Sequence, residues 1–293
     1  MKKSKSHSGY VALIGRTNVG KSTFLNYIME TKVSIVSNSP QTTRRQILGI
    51  KTTKQGQIIF FDSPGIHKPQ FKLNEKMMKD VHNSLLDADI ILYFIEVKDY
   101  RKDEFVLNMI KSLKKTTILV INKIDLYKKS KVLLQIDYFK EKYNWNEIVP
   151  ISALKGDNLD RLENLIFEYL PENENIFSPD EFTLQTERFY LAELIREKML
   201  NLIHHELPFT TSVKVQEITK KEKIIFIRAE IYVESLSQKK ILIGKHGSLM
   251  KKIGETARTD IEDYFNKKVF LDLFVKVVPN WRNSPHFLKD IFD

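Results

Sequence analysis

Gly15, Arg16, Thr17, Asn18, Val19, Gly20, Lys21, Ser22 is the stretch from which the fold of this 293-residue chain is read. It fits the pattern G-x-x-x-x-G-K-[ST] and lies between an apolar run, residues 10–14, and a helical pattern that begins at Ser22. The two glycines let the backbone turn and aim several N–H groups inward, so that the loop and the helix N-terminus form a cradle for phosphate anions. Lys21 adds a point charge for the outer phosphates, and the Ser22 hydroxyl suits Mg²⁺. Residues 15–22, with Thr23 beside them, are the candidate phosphate contacts.

Outward from this loop, apolar runs alternate with helical patterns. Strands are expected at residues 10–14, 46–51, 57–61, 90–97, 117–121 and 148–151, and helices at 22–29, 75–86, 104–114, 131–143 and 159–169. This alternation implies βαβ units and an α/β fold with a doubly wound, mostly parallel sheet, whose ligand sits at the carboxyl ends of the strands. Three further motifs fall at such ends. After residues 57–61 come Asp62, Ser63, Pro64, Gly65: the carboxylate suits Mg²⁺, and the glycine lets a backbone N–H approach the γ-phosphate. After residues 117–121 come Asn122, Lys123, Ile124, Asp125. Guanine presents two adjacent donors that one carboxylate accepts together, so Asp125 reads as the base-specificity residue, with Asn122 and Lys123 tying its loop to the phosphate loop. After residues 148–151, Ser152, Ala153, Leu154 and Lys155 cover the base from the other side.

Phosphate loop, DxxG, NKxD and SAxK in this order resemble a translation-factor-class GTPase domain. The stretch Gln41, Thr42, Thr43, Arg44 occupies the position of that family's first switch loop, where a threonine senses the γ-phosphate and Mg²⁺; Thr43 is the first choice and Thr42 the second. The resemblance gives Lys21, Thr43, Asp62 and Gly65 the catalytic roles and makes Ser22, Thr43 and Asp62 the Mg²⁺ set. Ras-like enzymes place a glutamine after the DxxG glycine to orient water, and here Ile66 stands there, so slow intrinsic hydrolysis is expected. Asn18 is similar to the asparagine of GTPases in which K⁺ bridges the phosphates, which makes K⁺ a second candidate cation.

Residues 171–186 break the pattern with prolines and polar residues and read as a linker between residues 1–170 and 187–293. Beyond it the expected order is a helix at 187–202, strands at 212–218 and 224–233, helices at 238–242 and 249–265, and a strand at 269–277. This α-β-β-α-α-β order resembles a prokaryotic-type KH domain, an α+β fold. Its hallmark G-x-x-G is Gly244, Lys245, His246, Gly247, with a glycine at position 246 in many relatives. The loop lets a sugar-phosphate backbone lie close, Ile241, Ile243 and Ile253 would line a groove for unpaired bases, and Lys245, Lys251 and Lys252 supply charge. Phe270, Phe274 and Trp281 are expected to pack the core, Trp281 with Arg282 being the pair to test for RNA contact. His204 and His205 are expected to cap a helix or face solvent.

Both halves together resemble the Era family of ribosome-assembly GTPases. The resemblance implies GTP or GDP with Mg²⁺ as ligands, and recognition of the 3′ end of 16S ribosomal RNA. It also implies help in rRNA processing and small-subunit assembly, by a monomer. Composition bounds the rest. A formal net charge of +10 suggests a polyanionic partner, and the complete lack of cysteine excludes disulfides, zinc-thiolate sites and cysteine nucleophiles. No secretory signal and no run of 18 apolar residues is apparent, so a cytoplasmic protein is expected, with peripheral association at the inner face of the cell membrane left open. Two alternatives accompany this reading: a membrane-surface signalling GTPase whose basic C-terminal domain binds anionic lipid, and a passive RNA scaffold that holds GTP without useful turnover.

Overall fold

The computed structural model describes residues 6–37, 39, 41–66, 69–97, 104–203 and 207–292. By their contacts they fall into two compact units, one of residues 1–34, 43–68 and 76–184, the other of residues 35–42, 69–75 and 185–293.

The elements up to residue 170 are β1 (His7–Gly15), α1 (Lys21–Ile28), β2 (Ile47–Thr53), β3 (Gly56–Asp62), α2 (Lys72–Asp87), β4 (Ile90–Glu96), α3 (Glu104–Lys111), β5 (Thr116–Asn122), α4 (Lys129–Lys140), β6 (Glu147–Pro150) and α5 (Leu159–Tyr169). The sheet order is β2-β3-β1-β4-β5-β6, parallel throughout except for β2. The central strands are continuous apolar runs because both of their faces are covered: every residue of β3 is buried, as are the first six of β4. Leu162 and Ile166 of α5 recur one turn apart and are both fully buried, which fixes the face that helix turns inward. Register aligns the strand ends that matter. Leu13 pairs with Asp62, Gly15 with Phe94, and Glu96 with Asn122, so Gly15, Asp62 and Asn122 emerge along one edge of the sheet.

The expected linker is not a free tether. The main chain of residues 171–184 is bonded along the sheet of the first unit: Ser8 N donates to Pro171 O and Ile50 N donates to Phe182 O. The fully buried side chain of Gln57 anchors its middle, its Oε1 accepting from Ile176 N at 2.9 Å and Phe177 N at 2.8 Å and its Nε2 donating to Phe177 O at 3.1 Å. The segment thereby satisfies backbone groups of β2, which an edge strand otherwise leaves open.

The second unit contains α6 (Glu187–Leu202), α7 (Leu207–Thr210), β7 (Ser212–Lys220), β8 (Ile224–Val233), α8 (Leu236–Ile243), α9 (Ser248–Phe265), β9 (Lys268–Val277) and α10 (Pro285–Phe292). In its sheet, β8 is central, antiparallel to β7 and parallel to β9. Leu191 and Ile195 of α6 and Ile253, Ala257 and Ile261 of α9 pack on Ile225, Ile227, Ala229 and Ile231 of β8. α8 begins two residues earlier than its sequence pattern suggests. Ser235 and Gln238 form a reciprocal capping box that starts the helix at Leu236.

Trp281 packs the core as expected: it is completely buried, its Nε1 donating to Thr210 O at 2.9 Å, and Arg282 is paired with Glu234 at 2.6 Å, so the pair is no free RNA contact. Two expectations are corrected. Phe270 and Phe274 are 55% and 49% exposed, because alternation along β9 turns them away from the helices. Ile253 is fully buried in the core and lines no groove. α7 and α10 were not foreseen, and His204 and His205 lie outside the described residues.

Candidate functional site

The phosphate loop joins β1 to α1, and the neighbouring strands hold it in place. Asn122, at the end of β5 and buried, donates from Nδ2 to Val19 O at 2.8 Å. Its Oδ1 accepts from Lys123 N at 2.7 Å and Ala153 N at 2.9 Å, so one side chain ties the phosphate loop to the segment 152–155. Lys123 does something different from what was expected of it. Its Nζ pairs with Glu96 Oε2 at 2.9 Å, and Tyr127 donates to the other oxygen of Glu96 at 3.0 Å; the lysine braces the end of β4, and the tie to the loop is the work of Asn122.

The DxxG turn is fitted directly against the phosphate loop. A Cβ at Gly65 would stand 2.8 Å from both Thr17 N and Thr17 Cα, which are backbone and cannot swing aside. Ile66 N donates to Gly15 O at 3.0 Å, and the Ile66 side chain is buried in the same core cluster as Ile14 and Ile91. Ser63 is fully buried and donates to Ser84 Oγ at 2.9 Å, which secures the turn on α2.

Three oxygen-bearing side chains converge beneath the loop. Ser22 Oγ donates to Asp62 Oδ2 at 2.6 Å and lies 3.0 Å from Thr43 Oγ1. Thr42 is turned elsewhere, its hydroxyl donating to Ser39 O at 2.6 Å, so the geometry chooses Thr43 of the two threonines. Asp62 is fully buried, and its Oδ1 has no partner among the described residues. A serine, a threonine and a carboxylate with one oxygen to spare are hard donors that fit Mg²⁺. Burial pushes the Asp62 carboxyl up, against the pull of the Lys21 ammonium and of the Ser22 and Ser34 hydroxyls. Burial lowers Lys21 to about 8, partly opposed by Asp62, and its Nζ donates to Arg16 O at 3.1 Å and Gly15 O at 3.3 Å. Ser34, which donates to Asp62 Oδ2 at 2.9 Å, is a site residue that the sequence did not announce. Asn26, which holds it, carried a weak signal: a polar residue one turn after Ser22 on the same face of α1.

On the base side, Asp125 is exposed and its Oδ1 accepts from Ser152 Oγ at 2.6 Å. Ser152 also accepts from Lys155 N at 3.1 Å, and Leu154 is 70% exposed.

In the second unit the loop 244–247 joins α8 to α9. Gly244 has φ +76°, and a Cβ there would meet Leu249 N and Cβ at 2.9 Å. His246 also adopts a left-handed conformation, φ +53°, a region that a glycine would occupy without strain. Ile241, Lys245, His246, Lys251 and Lys252 are exposed and Ile243 is half-buried, all at or near the N-terminus of the 18-residue α9. Amide groups at such a terminus favour anions.

The family model described as 50S ribosome-binding GTPase matches residues 10–123, and the KH domain model matches residues 206–282. A GTPase Era from Thermoanaerobacter sp. (strain X514) is 45% identical over 97% of this chain and 95% of its own length. The chain belongs to the Era family of GTPases. A second Era relative, from Caldanaerobacter subterraneus subsp. tengcongensis, is 46% identical over 97% of both chains. Two solved Era structures agree with this fold at 42% identity. One, Era in complex with MgGDPNP and nucleotides 1506–1542 of 16S ribosomal RNA, has a TM-score of 0.94 and covers 98% of each chain. The other, a single-residue variant of Aquifex aeolicus Era bound to GDP·AlF4⁻, has a TM-score of 0.93 and covers 97% of this chain and 98% of its own. The Era family assignment therefore spans both units, not the nucleotide unit alone.

Proposed function

We propose that this protein is a GTP-hydrolysing RNA-binding protein that recognises the 3′ end region of 16S ribosomal RNA and assists small-subunit maturation. The observation that carries the proposal is the pairing, in one chain, of a guanine-type nucleotide site with a G-x-x-G loop, matched over nearly the full length by Era bound to MgGDPNP and 16S RNA.

Each residue then has a role. Residues 15–23 hold the phosphates with loop amides and the Lys21 ammonium; Ser63, Pro64 and Gly65 bring a backbone N–H to the γ-phosphate side. Asp125 accepts from guanine, while Asn122, Ala153 and Leu154 shape the base pocket. Ser22, Thr43 and Asp62 would hold Mg²⁺, which would neutralise phosphate charge. Ordering of Thr43 and Gly65 by the γ-phosphate is an order–disorder switch of the kind hydrolysis releases. With Ile66 sunk in the core, no side chain at that position orients water, and intrinsic turnover is slow. K⁺ beside Asn18 is the finer part of the proposal. It rests on the likeness of Asn18, exposed in the loop, to the asparagine of K⁺-using GTPases, and it predicts faster turnover in K⁺ than in Na⁺. Ile241, Ile243 and residues 244–247, with Lys251 and Lys252, form the RNA surface. No helix among the described residues is long and apolar enough to cross a membrane. Peripheral attachment to anionic lipid rests on net charge alone, whereas two glycines at G-x-x-G spacing serve RNA and serve lipid not at all.

Phosphate release from GTP and from ATP, with and without an RNA copying the 16S 3′ tail, tests the proposal. GTP is hydrolysed, ATP is not, and RNA changes the GTP rate. Equal use of ATP, or no turnover under any of these conditions, would falsify it.

A further inference from the structure

Asn26 of α1 grips the chain where it leaves the helix. Its Oδ1 accepts from Val33 N at 3.0 Å and Ser34 N at 2.9 Å, and its Nδ2 donates to Ser34 O at 2.7 Å. Both backbone groups of Ser34 are thus satisfied before its side chain is considered. The hydroxyl, on a residue only 1% exposed, is then aimed at Asp62 Oδ2 at 2.9 Å, the same oxygen that accepts from Ser22 at 2.6 Å. Two donors on one oxygen leave Asp62 Oδ1 buried and without a partner among the described residues.

We propose that Ser34 is a positioning residue for the metal-site carboxylate: with Ser22 it bonds Asp62 Oδ2 and so fixes the carboxylate beside the Ser22 and Thr43 hydroxyls, and Asn26 is the clamp that holds Ser34 in place. The proposal rests on the reading of this site as one for guanine nucleotide with Mg²⁺. Its distinguishing feature is that the loop does not need the Ser34 hydroxyl to keep its shape. Asn26 bonds the backbone of residues 33 and 34, while the hydroxyl is directed at Asp62. Removing it should therefore weaken the cation and spare the loop. A hydrogen bond to a buried carboxylate is among the stronger kinds, because its loss leaves charge less compensated.

The experiment is retention of a fluorescent GDP analogue by the full chain as Mg²⁺ is titrated, beside Mn²⁺ affinity by electron paramagnetic resonance. Ser34→Ala should raise the Mg²⁺ midpoint about tenfold and weaken Mn²⁺ to match, with GDP affinity at saturating Mg²⁺ held within about twofold. Ser34→Thr, which keeps a hydroxyl, should restore most of the difference. Thr117→Ala, which removes a buried hydroxyl at the opposite end of the sheet, should leave the midpoint where it was. If Ser34→Ala fails to fold, Ser34→Cys, which puts a weak donor in place of the hydroxyl and leaves the Asn26 clamp intact, carries the same expectation. A midpoint unchanged in the variant, or moved equally by Thr117→Ala, overturns the positioning role. Failure of the parent chain to retain GDP at any Mg²⁺ concentration overturns the nucleotide reading, and the proposal with it.

Discussion

At the scale of single residues, Asp125 and Lys21, the proposed base and phosphate contacts, lie in opposite environments. Asp125 is exposed and already held in place by Ser152, which leaves its other oxygen for the proposed contact with a base. Asp125→Asn should weaken GTP by about a hundredfold or more and favour xanthine nucleotides, since a site built to accept two donors is left with one group of the wrong kind. Competition between GTP and XTP for the variant checks this; unchanged GTP preference contradicts the base assignment. Lys21 is buried and its ammonium is lowered to about 8, while a bound phosphate favours the charged form. Nucleotide binding therefore takes up a proton above that value, and GDP affinity should fall about tenfold between pH 7 and pH 9. Unliganded stability runs the other way: the unfolded chain holds the lysine proton up to 10.5, so stability rises across the window from 8 to 10.5. Titrating affinity and melting temperature over the same buffers separates the two signs. Asp125 and Lys21 were legible in the sequence because each sits at a fixed spacing inside a short motif. Ser34 was not, because its partner is 28 positions away and becomes a neighbour only when β3 pairs beside β1.

At the scale of elements, local chemistry explains most boundaries and tertiary bonds explain the rest. The helix starts at Thr186 and Ser235 are capped by hydroxyls that a sequence displays openly. Residues 171–184, by contrast, look like a linker because prolines and polar residues fill them, and their order comes from Gln57, about 120 positions earlier. α10 escaped notice although Phe287, Leu288, Ile291 and Phe292 recur at helical spacing, because its eight residues make only about two turns. Trp281, just before it, is completely buried and bonded to Thr210 O. Trp281→Ala should destabilise the second unit by about 3–5 kcal/mol through the cavity it leaves. Denaturant unfolding followed by circular dichroism measures this, with GDP affinity retained as the control on the first unit. A loss below about 1 kcal/mol would mean that the tryptophan is not the anchor its burial implies.

At the scale of the whole molecule, the alternation of strand and helix pointed to the nucleotide unit, and the order α-β-β-α-α-β to the second. The pairing was more informative than either half, and its match to Era relatives extends over 97% of the chain. Charge was the weakest guide at this scale. A net +10 suits RNA and anionic lipid equally, and only the G-x-x-G loop with its exposed lysines separates them. The central claim is that the two units work together, the nucleotide setting the grip on RNA. The most direct measurement is the affinity for a fluorescent single-stranded RNA copying the 16S 3′ tail, at one fixed salt concentration, with GDP and with GDPNP. The account predicts sequence-dependent binding that is tighter with GDPNP by about fivefold or more. Equal affinity in both nucleotide states, or binding no better than to a scrambled RNA, would contradict it.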